Sequence, residues 1–331
     1  MSYLLQPLTT GKLSLKNRLV MPPMATCKAE LDGRVSDALL DYYDEKSRGG
    51  AIGLVITEHT YVTMQGKNRA GQPSVADDNM AEGLRRLADV FHRDGSKAAV
   101  QINHVGGAAQ QSVTGLDVVS PSAVASPTSP GDSTLRALTL DEIAAIPGLF
   151  AAAAHRVKAA GFDAVEIHSA HGYLLNQFFS PLTNRRTDDH GGDVHGRSKL
   201  HLEVIGAVRA AVGDEFPILL RLGAADYMEG GSRIEDSVIA APEFERAGVD
   251  MLDITGGLSG YMRPDHTEPG YFAELSQAIT GAVSIPVILT GGVTEPEQAE
   301  ALLAAGKADL IGVGRAILKD SDWARRAVAQ G

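Results

Sequence analysis

Short apolar runs alternate with longer stretches of mixed polarity along most of the chain. The apolar runs are Arg18–Met24, Ile52–Glu58, Ala98–Asn103, Ala164–His168, Ile218–Gly223, Met251–Thr255, Val287–Thr290 and Leu310–Val313. Most are apolar on both faces, as strands covered by helices outside and packed against a barrel interior must be. Between them lie amphipathic or Ala-rich segments, including Ala81–Arg93, Leu149–Ala160, His201–Ala211, Ser237–Ala247, Phe272–Thr280 and Glu297–Ala305. Strands alternating with helices predict βαβ units and a parallel sheet.

The punctuation agrees. Thr139-Leu-Asp-Glu142 and Thr294-Glu-Pro-Glu297 fit the capping box, and Pro296 falls in a first helical turn, where its missing N–H costs nothing. Gly161, Gly248 and Gly306 follow helical runs as stop signals and stand just before the next strand. Eight strands with intervening helices predict an α/β fold, a (β/α)8 TIM barrel with a short N-terminal hairpin and a long loop after strand three. That loop contains the Ser/Pro-rich stretch Ser120–Ser133. An open doubly wound sheet would call for Gly-x-Gly-x-x-Gly after an early strand, and none stands there. With no internal repeat and no linker, residues 1–331 are expected to form one domain.

Composition narrows the function. At 331 residues and 44% hydrophobic, the chain can bury a full core. Its net charge of −11 argues against nucleic acid and anionic membrane as partners. The apolar runs are far shorter than the roughly 20 residues of a membrane span, and the N-terminus lacks a signal-peptide pattern. A single cysteine excludes an internal disulfide framework and an all-cysteine iron–sulfur site. A cytoplasmic protein acting on a small molecule is expected, with homo-oligomerisation left open.

In TIM barrels the site lies at the C-terminal strand ends, and polar residues collect there. Thr290-Gly-Gly292 and Gly312-Val-Gly-Arg315 follow strands seven and eight, where barrels bind phosphate through backbone N–H groups, with a helix N-terminus behind them. Gly291, Gly292 and Gly314 would expose those groups, and Arg315 adds a bidentate fork; two tight βα turns are the plainer explanation. His168 and His171 fit a paired donor site for a carbonyl or nitro oxygen, a metal pair, or structural histidines. Tyr173 fits a proton donor, or a loop aromatic packed on Leu174 or Phe178. Gln101 could offer both hydrogen-bonding roles to a planar heterocycle. Arg221 could hold negative charge on its ring, or form an ion pair with Glu166 or Asp253. Cys27 reads as inert packing or as a substrate contact.

The motifs together resemble the old yellow enzyme family, in its bacterial two-histidine branch. Asn17-Arg-Leu-Val-Met-Pro-Pro-Met24 is similar to that family's first strand. Gln101-Ile-Asn-His104, Ile167–Gly192, Leu220-Arg-Leu222 and Ile311–Arg315 match in order and spacing. The most specific run is His168-Ser-Ala-His-Gly-Tyr-Leu174 followed by Ser180-Pro-Leu-Thr-Asn-Arg-Arg-Thr-Asp188. The resemblance implies a noncovalent FMN, NADH or NADPH as electron donor, and reduction of an alkene conjugated to a carbonyl or nitro group. It also implies the roles: Pro23, Met24, Ala25 and His59 along the flavin, Gln101 and Arg221 on its pyrimidine, Gly291, Gly292, Gly314 and Arg315 on its phosphate. His168 and His171 hold the substrate oxygen, and Tyr173 delivers the proton. Two positions depart from the pattern. Ala25 stands where many relatives have Thr or Cys near the flavin, which leaves Thr26 as a substitute donor. Cys27 stands where some relatives place an aromatic substrate contact. Larger relatives append an iron–sulfur site, whereas this chain ends soon after strand eight with one cysteine, so direct reduction by nicotinamide is expected. Rival readings are a flavin enzyme for another substrate (a nitro compound, a steroid-like enone or an amine), a metal-dependent hydrolase or isomerase using His168, His171 and Glu166, and a catalytically silent barrel.

Overall fold

The structure, a computed structural model, describes residues 2–128, 131–263 and 265–329. Eight parallel strands close into a barrel. They are β1 (Leu19–Met21), β2 (Leu54–Tyr61), β3 (Lys97–Asn103), β4 (Ala164–Ser169), β5 (Ile218–Gly223), β6 (Met251–Thr255), β7 (Val287–Thr290) and β8 (Leu310–Gly312). The outer helices are α1 (Asp37–Ser47), α2 (Ala81–Arg93), α3 (Leu140–Ala159), α4 (Val194–Val212), α5 (Ile234–Ala247), α6 (Ala273–Thr280) and α7 (Pro296–Ala304). This is the (β/α)8 architecture that the alternation predicted. The expected N-terminal hairpin is also present, with Leu8–Thr9 antiparallel to Ser14–Leu15.

The boundaries moved for identifiable reasons. β1 is shorter than Arg18–Met24 because Pro22 and Pro23 cannot donate to a ladder. β2 runs on through Glu58-His-Thr-Tyr61, all buried, where a pattern of apolar residues had suggested a stop. α3 starts nine positions before Leu149, at the Thr139–Glu142 capping box, and carries Pro147 inside it. α4 starts before His201, capped by Asp193. The expected box at Thr294 lies one residue later, on Glu295 and Gln298, with Pro296 in the first turn as expected. Gly161, Gly248 and Gly306 all take positive φ at the ends of their helices. The long connection between β3 and α3 holds a short parallel pair, Val119–Ser120 with Arg136–Ala137; residues 129–130 of its Ser/Pro-rich part lie outside the described residues. No helix among the described residues is long and apolar enough to cross a membrane.

Side-chain parity positions the site. Alternate strand residues face the barrel axis. At the N-terminal end these inward residues are apolar: Leu54 and Ile56, Ala99, Ala164, Leu219, Met251, Ile288 and Leu310 form one cluster, closed from below by Leu13 and Leu15 of the hairpin. Two residues further along each strand the inward residue turns polar: Gln101 after Ala99, Glu166 after Ala164, Arg221 after Leu219, Asp253 after Met251, Thr290 after Ile288. Gly312 follows Leu310 because a Cβ there would lie 1.9 Å from Thr290 Oγ1. β2 breaks the register: Thr57 pairs with Val100 but Thr60 with Ile102, so one extra residue is bulged at Glu58–His59 opposite Gln101.

The apolar plug should dominate stability. Leu219→Ala, at a fully buried interior position, should cost about 2–5 kcal/mol. The half-exposed Leu318→Ala should stay within about 0.5 kcal/mol. Urea unfolding midpoints check both.

Candidate active site

Above the polar layer, β4 carries His168 inward, ends at Ser169, and the chain turns sharply. His171 sits at φ +58° and Gly172 at +72°, left-handed conformations that a non-glycine residue adopts at a cost of order 1–3 kcal/mol. The turn brings His168 and His171 to ring centroids 5.0 Å apart and Tyr173 to 4.9 Å from His168. Tyr173 also meets His59 edge-on at 5.6 Å. The three expected reacting side chains are therefore one cluster.

Their protonation follows from burial. Loss of solvent holds both His168 and His171 well below the usual imidazole range; nearby His171, Arg221 and His59 push His168 further, and Arg221 and His59 push His171. Both rings are neutral at pH 7, each with one N–H to donate. Thr255 Oγ1 lies 3.1 Å from His171 Nε2, and His168 Nδ1 is buried without a hydrogen-bond partner. Burial raises the Tyr173 phenol, against the lowering effects of Arg69 and of Asn68, whose Nδ2 donates to its oxygen at 3.0 Å. Tyr173 thus keeps its proton and has it free to give.

His59 is fixed as one tautomer. Asn68 N donates to Gln72 Oε1 at 2.6 Å, which orients the Gln72 amide; Gln72 Nε2 then meets His59 Nδ1 at 2.7 Å. An amide nitrogen only donates, so the His59 proton sits on Nε2. Burial, helped by Arg69, lowers His59 to about 4.

At the far rim, Arg315 Nη2 lies 3.2 Å from the Tyr271 hydroxyl and Nη1 3.8 Å from Met262 Sδ. No carboxylate engages it among the described residues, which leaves its charge for an anion. Gly292 takes φ +74°, and a Cβ there would meet Glu268 O and the Tyr271 ring at 2.8 Å, so this glycine admits Tyr271. The helix behind Gly314, Arg315–Lys319, has only 5 residues. The expected support from a helix N-terminus is therefore weak, and the guanidinium carries the charge.

Other expectations were corrected. Thr26 is not a spare donor: its N–H and hydroxyl both bond Glu58, the former at 2.9 Å. Cys27 is not packing: it is an exposed free thiol at φ +56°, close enough to act electrostatically on Tyr173. Ala25 is exposed, and Pro23 and Met24 are half-buried, along the same segment. Arg221 does pair with Asp253, at 3.4 Å from Nε to Oδ2, although without hydrogen-bond alignment. Gln101 Nε2 donates to Glu166 Oε2 at 2.7 Å. The second half of the most specific run is scaffold. Arg186 Nη1 bonds the carbonyls of Pro121 and Leu138, both at 2.8 Å, and pins the long loop. Asn68, Gln72 and Thr255 escaped sequence reading, since nothing in the spacing marks them as partners of Tyr173, His59 and His171.

The site suits FMN on its own chemistry. Asn103 Nδ2, His168 Nδ1 and Arg221 Nε are buried polar atoms at the barrel mouth with no hydrogen bond, the signature of missing ligand atoms. The Arg315 guanidinium, with no carboxylate partner among the described residues, and the Gly291-Gly292 turn both border Tyr271, a donor set that suits a phosphate. Among the described residues, no group of three or more His, Cys, Asp or Glu side chains could hold a metal ion.

Comparison with known proteins agrees. The profile of the NADH:flavin oxidoreductase / NADH oxidase family matches residues 3–330. An NADH oxidase of Thermoanaerobacter brockii is 42% identical over 96% of the chain and 49% of its own length. An NADPH dehydrogenase of Clostridium acetobutylicum is 37% identical over 94% of the chain and 90% of its own length. Morphinone reductase in complex with tetrahydroNAD superposes with a TM-score of 0.85 at 30% identity, covering 99% of this chain and 90% of that one. The chain belongs to the NADH:flavin oxidoreductase / NADH oxidase family, the family of the old yellow enzymes. It spans about half the length of the Thermoanaerobacter protein.

Buried neutral histidines make stability acid-sensitive. Burial lowers His104 to about 4, against about 6.5 in an unfolded chain, so the unfolded state binds its proton first as pH falls. The stability tied to its neutral form is complete above pH 6.5 and is lost down to about 4. Glu58, Glu166 and Asp253 are raised and act in the opposite direction, so a variant must isolate the histidine. In His104→Asn, the slope of unfolding free energy against pH between 4.5 and 6.5 should be shallower by up to about 1.4 kcal/mol per unit, read by urea titrations at each pH. An unchanged slope would show that folded His104 binds its proton as readily as the unfolded chain does.

Proposed function

We propose that the protein is an NAD(P)H-dependent ene-reductase, reducing the C=C bond of α,β-unsaturated carbonyl or nitro compounds, with residues 1–331 acting as one barrel domain in the cytoplasm. The observation that carries this is the pair of neutral imidazoles, His168 and His171, beside a protonated Tyr173. Bound FMN supplies the two-electron chemistry, accepting reducing equivalents from NADH or NADPH and delivering them to the β-carbon of the alkene.

The chain supplies everything else. Two N–H donors aimed at one substrate oxygen stabilise the negative charge that grows there as the β-carbon is reduced. They also draw electron density from that carbon. Tyr173 gives its phenolic proton to the α-carbon and is reprotonated from solvent; Asn68, donating to the phenol oxygen at 3.0 Å, steadies the phenolate left behind. Pro23, Met24, Ala25 and His59 would line the flavin, and Gln101 and Arg221 would bind its pyrimidine. Gly291, Gly292, Gly314 and Arg315 would hold its phosphate. Ala25 and Cys27, both exposed, would meet substrate at the rim. A nitro compound or a steroid-like enone would meet the same donors.

Purified protein should bind FMN and bleach when NADPH or NADH is added without oxygen. The double variant His168→Ala with His171→Ala should keep that reductive step within a few-fold. It should lose about 10²–10³ in the rate of enone turnover. Stopped-flow measurement of the two half-reactions decides. Equal loss in both would remove the oxyanion role. In Tyr173→Phe, a slowed oxidative half-reaction with normal enone binding is expected.

A further inference from the structure

Beneath the proposed flavin site, two carboxyl groups face a single guanidinium. Glu166 on β4 and Asp253 on β6 are fully buried, and Arg221 on β5 is 3% exposed. Gln101 donates to Glu166 Oε2 at 2.7 Å and Thr290 to Asp253 Oδ1 at 3.3 Å. The other two carboxyl oxygens, Glu166 Oε1 and Asp253 Oδ2, have no hydrogen bond. Resting on the reading of the site as an FMN site, we propose that Glu166 and Asp253 are positioning residues that share one proton and, through Arg221, match the charge under the flavin to the charge on it.

The argument is one of charge count. One arginine balances one carboxylate. Ionising both would leave a net negative charge on groups buried away from solvent, at a cost of several kcal/mol per ion in real proteins. The structure favours a neutral set: Arg221 charged, one carboxylate, one carboxylic acid. Burial, and then Asp253, push Glu166 up to about 8, and burial raises Asp253 as well. The further titratable groups acting with this set are His168 on β4 and His171 above it, both neutral, His59 on β2, which acts on both imidazoles, and Tyr271, whose phenol burial raises and Arg221 lowers. β3 and β7 contribute only Gln101 and Thr290, and β1 and β8 place Val20 and Gly312 inward.

The sign of the coupling follows. Negative charge gained by the flavin draws on Arg221 and raises both carboxyl groups. Where the pair was losing its shared proton, at pH near and above 8, it takes one back from solvent on Glu166 Oε1. Reoxidation returns that proton to solvent. Each two-electron reduction of the bound FMN is then accompanied by one more proton than the flavin alone binds.

The test uses FMN-loaded protein and spectroelectrochemical titration at several pH values. In the parent, the pH slope of the midpoint potential should steepen by one proton per two electrons near and above pH 8. Glu166→Gln, which keeps size and the ability to accept from Gln101, should lose that segment. Reduction-induced infrared difference spectra of the parent need no variant, so a misfolded variant cannot hide the answer. They should show a protonated-carboxyl C=O band gained at pH 8.5 and absent in Glu166→Gln. Bound flavin with the same slope in parent and variant, or no carboxyl band on reduction, overturns the proposal while leaving the ene-reductase reading intact. Protein that takes up no FMN overturns both.

Discussion

Eight parallel strands closed on themselves leave an interior only wide enough for side chains, and every inward position must be filled. That constraint organises this molecule. The lower inward positions are filled by apolar residues from Leu54 to Leu310, with Leu13 and Leu15 as a stopper. The upper ones are filled by Gln101, Glu166, Arg221, Asp253 and Thr290, which satisfy one another only in part. Because successive inward residues are two apart, the switch from apolar to polar happens at nearly one height on several strands. The result is a dry, rigid floor carrying charge, on which a reactive layer can stand.

The reactive layer owes its properties to that floor. His168 is the next inward residue after Glu166 on the same strand, so its height and direction are set by the ladder between β4 and β5, where it pairs with Arg221. The positive charge below and the loss of water around it both keep the imidazole neutral. The rest of the layer comes from loops. The left-handed turn at His171 and the bulge at Glu58–His59 aim side chains that a regular strand would direct elsewhere. The Arg186 contacts hold the long loop that borders the site. Much of the specific sequence motif thus serves to fix backbone, and a smaller part of it forms the His168, His171 and Tyr173 cluster.

The comparisons fit this division of labour. A fold shared at a TM-score of 0.85 with only 30% identity shows a scaffold that tolerates many substitutions. A helical shell needs only an apolar face toward the barrel, whereas the inward polar positions demand size, charge and hydrogen-bonding capacity together.

The sequence by itself determined the barrel, its eight strands and the strand ends where polar residues collect, because hydrophobic period and glycine stops are local signals. It also determined His168, His171 and Tyr173 as a cluster, since a strand followed by a tight turn leaves them little room to separate. It could not tell that Thr26 turns to Glu58, that Asn68 and Gln72 reach Tyr173 and His59, or that Cys27 is exposed. Those depend on loops whose course is set by what they touch. Nor could it decide between a flavin contact and an ion pair for Arg221. The folded chain shows the pairing with Asp253 at 3.4 Å alongside an Nε left without a hydrogen bond, because only the pairing and register of β4, β5 and β6 bring two carboxyl groups to one guanidinium.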